Sequence, residues 1–175
     1  DYGSADYYYV NKSSLPKVYG GFNTSLSWKG FDLSAIFAYS IGGYIYNRDV
    51  TMILHNGSLE GRDWSTEILR RWTPDNRYTD VPALSTTSNN WNSASTRFLQ
   101  NNSYMRLKNL TLSYNLPKQW ISKLSLSSVQ VYVQGDNLFT IHRNQGLDPE
   151  QGITGITYYR YPAMRTISGG INVSF

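Results

Sequence analysis

The chain has 175 residues, of which 15% are aromatic and only 16% are charged, and it carries a formal net charge of +4. That charge is spread thinly, with Arg70-Arg71 as the only adjacent basic pair, which argues against a nucleic-acid-binding stripe or a polybasic lipid anchor. Cysteine is absent, which excludes disulfides, thiol nucleophiles and thiolate metal sites. No apolar run approaches the roughly eighteen residues of a membrane helix, so any membrane crossing would need β-strands.

Residues 18–41 predict two β-strands joined by a tight turn at Lys29-Gly30. From 18 to 28, even positions such as Phe22 and Trp28 are mostly apolar or aromatic and alternate with Asn and Ser. From 31 to 41 the odd positions carry the apolar and aromatic side chains. This period of two predicts strands with one apolar and one more polar face, and each strand is about as long as a tilted membrane-crossing strand requires.

Residues 48–101 lack this alternation and predict a long loop that contains one short helix. The helix is expected from Asp63 to Trp72, because Trp64, Ile68 and Trp72 recur every four residues. Asp63 is its expected N-cap, since a carboxylate there can accept hydrogen bonds from the unpaired N–H groups of the first turn.

A third strand is predicted from about Tyr104 to Leu116. Its apolar residues fall on even positions from Leu110 onward, whereas Met105 and Leu107 fall on odd positions. Either a bulge near Lys108-Asn109 resets the register, or the early end of the strand lies outside a membrane. The pattern slightly favours the bulge.

Two further strands complete the predicted set. After Pro117 a short connection leads to residues 129–136, where valines alternate with polar side chains. Residues 142–163 form a second irregular loop, and residues 166–175 alternate again and end on Phe175.

The connections therefore run short, long, short, long, which is the asymmetry of outer-membrane β-barrels with brief periplasmic turns and long external loops. We expect an all-β chain whose antiparallel strands form the C-terminal part of a large transmembrane β-barrel. Five strands cannot close such a barrel, so the remaining strands are expected from a missing upstream part of the polypeptide. The predicted parts are an external tail (1–17), a hairpin (18–47), an external loop with the helix (48–103), a hairpin with a periplasmic turn (104–140), an external loop (141–163) and the C-terminal strand (164–175).

Four local motifs, in the same order along the chain, resemble SusC/RagA-type TonB-dependent transporters. Residues 104–117, YMRLKNLTLSYNLP, are similar to the family's YLRLKNLTLGYNLP strand, and residues 131–140, VYVQGDNLFT, to its VYVSGQNLFT strand. Residues 16–33 resemble its YKGFDLS hairpin, and residues 146–166 its last external loop. The residues assigned to the family motif are Gly135, Asp136, Asn137, Leu138, Phe139, Gly146, Leu147, Asp148, Pro149 and Glu150.

The resemblance implies a function for the parent protein. It implies a barrel of about 22 strands with a plug in its lumen, embedded in the lipid of the bacterial outer membrane. Such a transporter imports glycan oligomers or peptides under a SusD-like surface lipoprotein, driven by the TonB complex through the N-terminal part. The terminal Phe175 resembles the signal that the barrel-assembly machinery reads.

No constellation of residues predicts an enzyme, a cofactor or a metal site. His55 and His142 are isolated in different loops, and ordinary loop polarity is favoured over metal ligation. Asp148 and Glu150 flank Pro149, which indicates a rigid turn more than a catalytic acid pair. No catalytic, cofactor-binding or metal-binding residue is therefore assigned.

Aromatic side chains have two interpretations, because they can stack on a ligand or form a girdle at the membrane interface. The girdle is favoured for Trp28, Phe31, Tyr39 and Trp120. In the loops, packing is favoured over contact with a ligand or with the lid for five residues, and both interpretations stay open. These are Trp64, Trp72, Trp91, Tyr158 and Tyr159.

Two alternative functions remain. A soluble secreted β-sandwich, such as a carbohydrate-binding module, also shows alternation and exposed aromatic residues, but its strands average about five or six residues. A SusC-like structural subunit of a larger envelope complex would carry the same strands as an importer.

Overall fold

The computed structural model of the protein describes residues 3, 7–57, 59, 61–85, 87, 90–122, 126–144, 146, 148–150 and 154–175. The chain divides into two units. The sheet unit comprises Pro16–Gly43, Asn102–Glu150 and Tyr161–Phe175, and the loop unit comprises Asp1–Leu15, Tyr44–Asn101 and Gln151–Arg160.

The strands and α-helices are numbered along the chain. They are β1 (Val18–Trp28), β2 (Phe31–Ile41), β3 (Tyr44–Asn47), α1 (Arg48–Ile53), β4 (Leu99–Asn101), β5 (Tyr104–Asn115), α2 (Lys118–Ile121), β6 (Ser128–His142), β7 (Ile156–Thr157) and β8 (Thr166–Ser174). Within the described part of the chain, 3-10 helices lie at Thr66–Arg70, Asn90–Asn92 and Thr96–Phe98. No helix among the described residues is long and apolar enough to cross a membrane.

The sheet unit is built on one five-stranded antiparallel sheet with the order β1-β2-β5-β6-β8. The five strands contain 11, 11, 12, 15 and 9 residues, about twice the length usual in a soluble sandwich. The predicted all-β fold with five antiparallel strands is thus confirmed.

Cross-strand pairing places the apolar side chains of all five strands on one face. Phe22 pairs with Phe37, Phe37 with Leu107, and Leu107 with Phe139. The Phe22 and Phe37 rings stack with centroids 4.7 Å apart. Many side chains of this face are exposed, so no layer of described residues covers it within the sheet unit.

The opposite face carries a hydrogen-bonded polar network. Asp32 accepts from Asn115 Nδ2 at 2.7 Å and from the Ser27 hydroxyl at 2.5 Å. Asp136 accepts from Asn109 Nδ2 at 2.8 Å and from Gln134 Nε2 at 3.2 Å. The sheet therefore has one apolar and one polar face, as the alternation predicts.

Local backbone features explain the connections and the register. The β1–β2 turn places Lys29 and Gly30 at φ +48° and +89°, the left-handed conformations of a tight hairpin turn. On β5 the pairing skips Lys108 between Leu107 and Asn109. The predicted bulge is confirmed, and it keeps Leu107 on the same face as Leu110.

The loop unit contains a three-stranded sheet, order β4-β3-β7, in which β3 and β7 are parallel. Helix α1 follows β3 directly, and Asn47 caps it by accepting from the Val50 N–H at 3.1 Å. The buried apolar side chains of the loop unit include Ile45, Leu54, Ile68, Val81 and Phe98.

The structure corrects several predicted boundaries. The helix expected over Asp63–Trp72 is a 3-10 helix at Thr66–Arg70, and Ser65 caps it in place of Asp63 by accepting from the Glu67 N–H at 3.3 Å. Residues 44–47, assigned to the first hairpin, form β3 of the other sheet. The strand β6 extends to His142, and β8 begins at Thr166 in place of 164.

Candidate functional site

A buried ion-pair cluster joins the loop between β6 and β8 to the polar face of the sheet unit. Its centre is Arg106 on β5, which is only 3% exposed. Arg106 Nε donates to Thr140 Oγ1 at 2.8 Å, Nη1 donates to Glu150 Oε2 at 2.8 Å, and Nη2 donates to Asp148 Oδ1. All three nitrogens of the guanidinium group are therefore engaged.

Asp148 connects the two limbs of the loop. Its Oδ1 accepts from the Glu150 N–H at 2.9 Å, and its Oδ2 accepts from the Ala163 N–H at 2.6 Å. Burial raises the pKa of Asp148, but the two backbone N–H groups and the Arg106 guanidinium lower it more, so that its net pKa lies below the ordinary value. The carboxylate consequently stays ionised at neutral pH.

The cluster continues toward solvent through Lys108 and Glu150. Lys108 Nζ lies 2.6 Å from the Glu150 carboxylate, and both side chains are about one-third exposed, at 33% and 38%. Asn102 Nδ2 donates to the Pro149 carbonyl at 2.9 Å. We call Arg106, Lys108, Asp148 and Glu150 the loop clasp.

The sequence predicted a rigid turn around Pro149 but missed its partners. A signal was present, because Arg106 and Lys108 are cations in an otherwise neutral strand and Asp148 and Glu150 are acids in the loop. Charge complementarity alone does not pair residues so far apart in sequence. Leu147, assigned to the same motif, lies outside the described residues.

The other half of the predicted family motif, residues 135–139, shapes β6. Asn137 adopts φ +52° and its Nδ2 donates to the Met164 carbonyl at 3.2 Å. A Cβ at Gly135 would lie 2.6 Å from Leu138 Cδ2, so a side chain there would require the Leu138 side chain to shift. These contacts are structural.

In the loop unit, two of the five aromatic candidates are engaged in packing. Trp64 Nε1 donates to His55 Nδ1 at 3.1 Å, and the two rings meet edge to face. Trp91 Nε1 donates to the Leu54 carbonyl at 2.6 Å, while the Arg97 guanidinium lies 3.3 Å from the centre of its ring. His55 is 1% exposed and is thereby part of the core. Trp72 is 44% exposed.

Tyr158 and Tyr159 form a distinct exposed surface. They are 49% and 60% exposed, and their ring centroids lie 4.5 Å apart. The Arg48 guanidinium lies 4.7 Å from the centre of the Tyr158 ring, and Arg62 Nη1 lies 3.5 Å from the Tyr159 hydroxyl. We call these four residues the tyrosine–arginine surface.

A cavity of about 520 Å³ opens beside this surface. Arg48, Tyr46, Met52, Asn92 and Ile156 are among its lining residues. Burial raises the pKa of the Tyr46 phenol, which the Ser95 backbone and Arg48 offset in part. Tyr46 is therefore a neutral hydroxyl at physiological pH.

No group of three or more His, Cys, Asp or Glu side chains that could hold a metal ion occurs within the described part of the chain.

Comparison with known proteins gives no matching family model but several related proteins. TonB-dependent receptor P3 of Formosa agariphila is 34% identical over 89% of this chain and 16% of its own length. TonB-dependent receptor P26 of the same organism is 30% identical over 98% of this chain and 18% of its own length. TonB-dependent receptor SusC of Bacteroides thetaiotaomicron is 27% identical over 95% of this chain and 16% of its own length.

Solved structures extend the similarity to the fold. A structure of the RagAB peptide transporter matches 100% of this chain and 19% of its own chain, with TM-score 0.86 and 33% identity. The structure of the RagAB peptide importer in its closed-closed state also matches 100% of this chain and 19% of the importer chain, with TM-score 0.85 and 34% identity. The chain thus spans less than a fifth of the length of these relatives, all of which are described as receptors, transporters or importers and none as an enzyme.

Proposed function

The chain belongs to the SusC/RagA-type TonB-dependent receptors of the outer membrane, and we propose that it supplies the last five strands of a barrel that imports oligomeric nutrients. In this proposal the apolar face of the sheet unit meets lipid and the polar face lines the lumen. The long connections, residues 42–103 and 143–165, face outside the cell. The short turns at Lys29-Gly30 and after Pro117 face the periplasm.

The observation that carries the proposal is the two-faced five-stranded sheet. Its apolar face exposes large side chains such as Leu26 and Ile171, at 67% and 65%, which a lipid environment would cover. Its polar face is satisfied internally by the Asp32 and Asp136 networks. A barrel wall with lipid on one side and a polar lumen on the other requires this distribution.

We propose oligopeptides as the substrate class. The support is that the solved structures similar to the whole chain are described as peptide importers or transporters. Glycan oligomers, which the family resemblance also implies, are the alternative.

Three partners belong to the proposal. A SusD-like surface lipoprotein would close over the external loops, as the two-component name RagAB of the related importer suggests. The TonB complex would act through the upstream part of the polypeptide. The barrel-assembly machinery would read the strand that ends on Phe175.

Growth of a deletion strain tests the import proposal. We expect a strain that lacks the full-length gene to grow poorly on a tryptic peptide mixture as its nitrogen source and normally on free amino acids, and the restored gene to reverse the defect. A defect on oligosaccharides alone would move the substrate to glycans. Normal growth on both, with the barrel present in outer membranes, would instead support a structural subunit.

A further inference from the structure

Tyr159 occupies a strained backbone conformation on the tyrosine–arginine surface. Its φ is +47°, a left-handed conformation that is unusual for a bulky residue and that persists only where neighbouring contacts hold it. The Tyr159 N–H donates to Asp49 Oδ1, in the first turn of α1, at 2.9 Å. This contact holds the Tyr159 backbone, while the exposed ring lies against Tyr158.

Arg48 offers an unused cationic group beside that ring. It is exposed, and its guanidinium group forms no hydrogen bond or ion pair with any described residue, so that its contact is the Tyr158 ring at 4.7 Å. Within the described part of the chain, the N–H groups of Arg48 therefore have no acceptor. A planar guanidinium with free N–H groups is suited to bind a carboxylate through two parallel hydrogen bonds.

The cavity that Arg48 lines is large enough to hold part of a ligand. Its volume of about 520 Å³ falls within the range of small-ligand sites. Met52 and Ile156 supply apolar walls, while Arg48 and Asn92 supply polar ones. The Asn92 side chain donates through Nδ2 to the Thr51 carbonyl, while its Oδ1 atom is buried without a hydrogen-bond partner among the described residues.

We propose that Arg48, the rings of Tyr158 and Tyr159 and the adjoining cavity form a subsite for a carboxylate group of an oligopeptide substrate. This inference rests on the proposed function of peptide import and adds a charge preference to it. In the subsite, Arg48 binds the carboxylate, the tyrosine rings pack against the peptide chain, and the cavity receives a side chain. The neighbouring Asp49 carboxylate accepts a hydrogen bond from the Tyr159 N–H.

Binding of two matched peptides to the detergent-purified full-length receptor tests the subsite. The probes are N-acetyl hexa-alanine with a free C-terminal carboxylate and the same peptide with a C-terminal amide. We expect the carboxylate form to bind about tenfold or more tightly than the amide, because charged hydrogen bonds to Arg are strong. Arg48→Gln should abolish this preference, and Arg48→Lys should retain part of it.

Arg77→Gln is the matched control, since Arg77 is an exposed arginine of the same unit whose Nε donates within its own turn, to the Pro74 carbonyl. This variant should keep the full preference. Equal binding of the two peptides, binding of neither, or an Arg48→Gln variant that keeps the preference would overturn the subsite. Binding of trigalacturonate but of neither peptide would overturn the peptide assignment.

The import proposal and the subsite proposal can be overturned independently of each other. Gene-dependent growth on peptides without a carboxylate preference in binding would overturn the subsite and leave import standing. A carboxylate preference removed by Arg48→Gln, in a strain whose growth on peptides does not depend on the gene, would instead overturn the import proposal.

Discussion

At the residue scale, the loop clasp shows why two acids sit beside Pro149. Burying a charge is unfavourable unless it is paired and fully hydrogen-bonded. Arg106 meets this condition through Thr140, Asp148 and Glu150, and Asp148 meets it through two backbone N–H groups as well. The clasp thereby fixes the base of the loop at Asp148, Glu150 and Ala163.

Arg106→Gln should release the loop base. Removing one partner of a buried ion pair leaves Asp148 uncompensated, which typically costs about 3–5 kcal/mol. We expect trypsin to cleave between residues 143 and 165 at least about tenfold faster in the folded full-length protein. Lys108→Gln is the control, because it also removes one tryptic site from β5 but breaks a partly exposed pair worth at most about 1 kcal/mol. Equal cleavage rates in the two variants would contradict the clasp.

The pH dependence of the loop follows from the lowered pKa of Asp148. A carboxyl whose pKa is lower in the folded state stabilises that state above its unfolded pKa, here 3.8, and this stabilisation is lost as the pH falls through the lower folded value. Hydrogen exchange of the Ala163 N–H should therefore stay protected from neutral pH down to about pH 4 and lose protection below it. In Asp148→Asn, protection should be low throughout; a wild-type loss near pH 6 would exclude Asp148 as the cause.

At the element scale, two local devices keep the apolar face continuous. The tight turn at Lys29-Gly30 sets the β1–β2 register, in which Trp28 pairs with Phe31. The bulge at Lys108 sets the β5 register, in which Leu107 and Leu110 share a face. If the tight turn or the bulge were lost, the register of β1–β2 or of β5 would shift by one residue. The shifted strand would then turn its apolar residues toward the polar face.

Gly30→Val should disrupt the first hairpin. A side chain at φ +89° is strained, and a Cβ there would lie 3.1 Å from the Asn115 carbonyl oxygen. We expect a loss of about 1–3 kcal/mol, seen as less folded band on unheated electrophoresis gels. Lys29→Asn is the control, since Asn accepts the left-handed conformation readily and should leave the folded band unchanged or stronger.

Phe175→Ala tests the assignment of β8 as the strand that the assembly machinery reads. Phe175 is 92% exposed, so its removal leaves no cavity in the sheet unit. We expect less assembled barrel in outer membranes while the amount of synthesised protein is unchanged. Ser174→Ala, next to it, should assemble normally. Wild-type levels of assembled Phe175→Ala would remove the assignment.

At the scale of the whole molecule, the sequence predicted the sheet better than the loops. Alternation in 18–41 and 166–175 revealed strands because a two-faced sheet imposes a period of two on every strand. The short strands β3, β4 and β7 were not predicted, since two to four residues cannot show a period and their pairing joins distant segments. The loop clasp and the Arg48–Tyr158 contact were not predicted either, because each joins residues that are far apart in the chain.

The lipid-facing side of the sheet can be tested on neighbouring residues of β8. Ile171 lies on the apolar face, paired with Val131, whereas Asn172 lies on the polar face and donates to Gln130 Oε1. If the apolar face meets lipid, Ile171→Arg should destabilise the barrel by about 2–4 kcal/mol and reduce its folded band in outer membranes. Asn172→Arg should assemble nearly as well as wild type, because a lumen wall tolerates charge. The opposite ranking would mean that the two faces are assigned the wrong way round, and equal effects would mean that the sheet does not separate lipid from a polar interior.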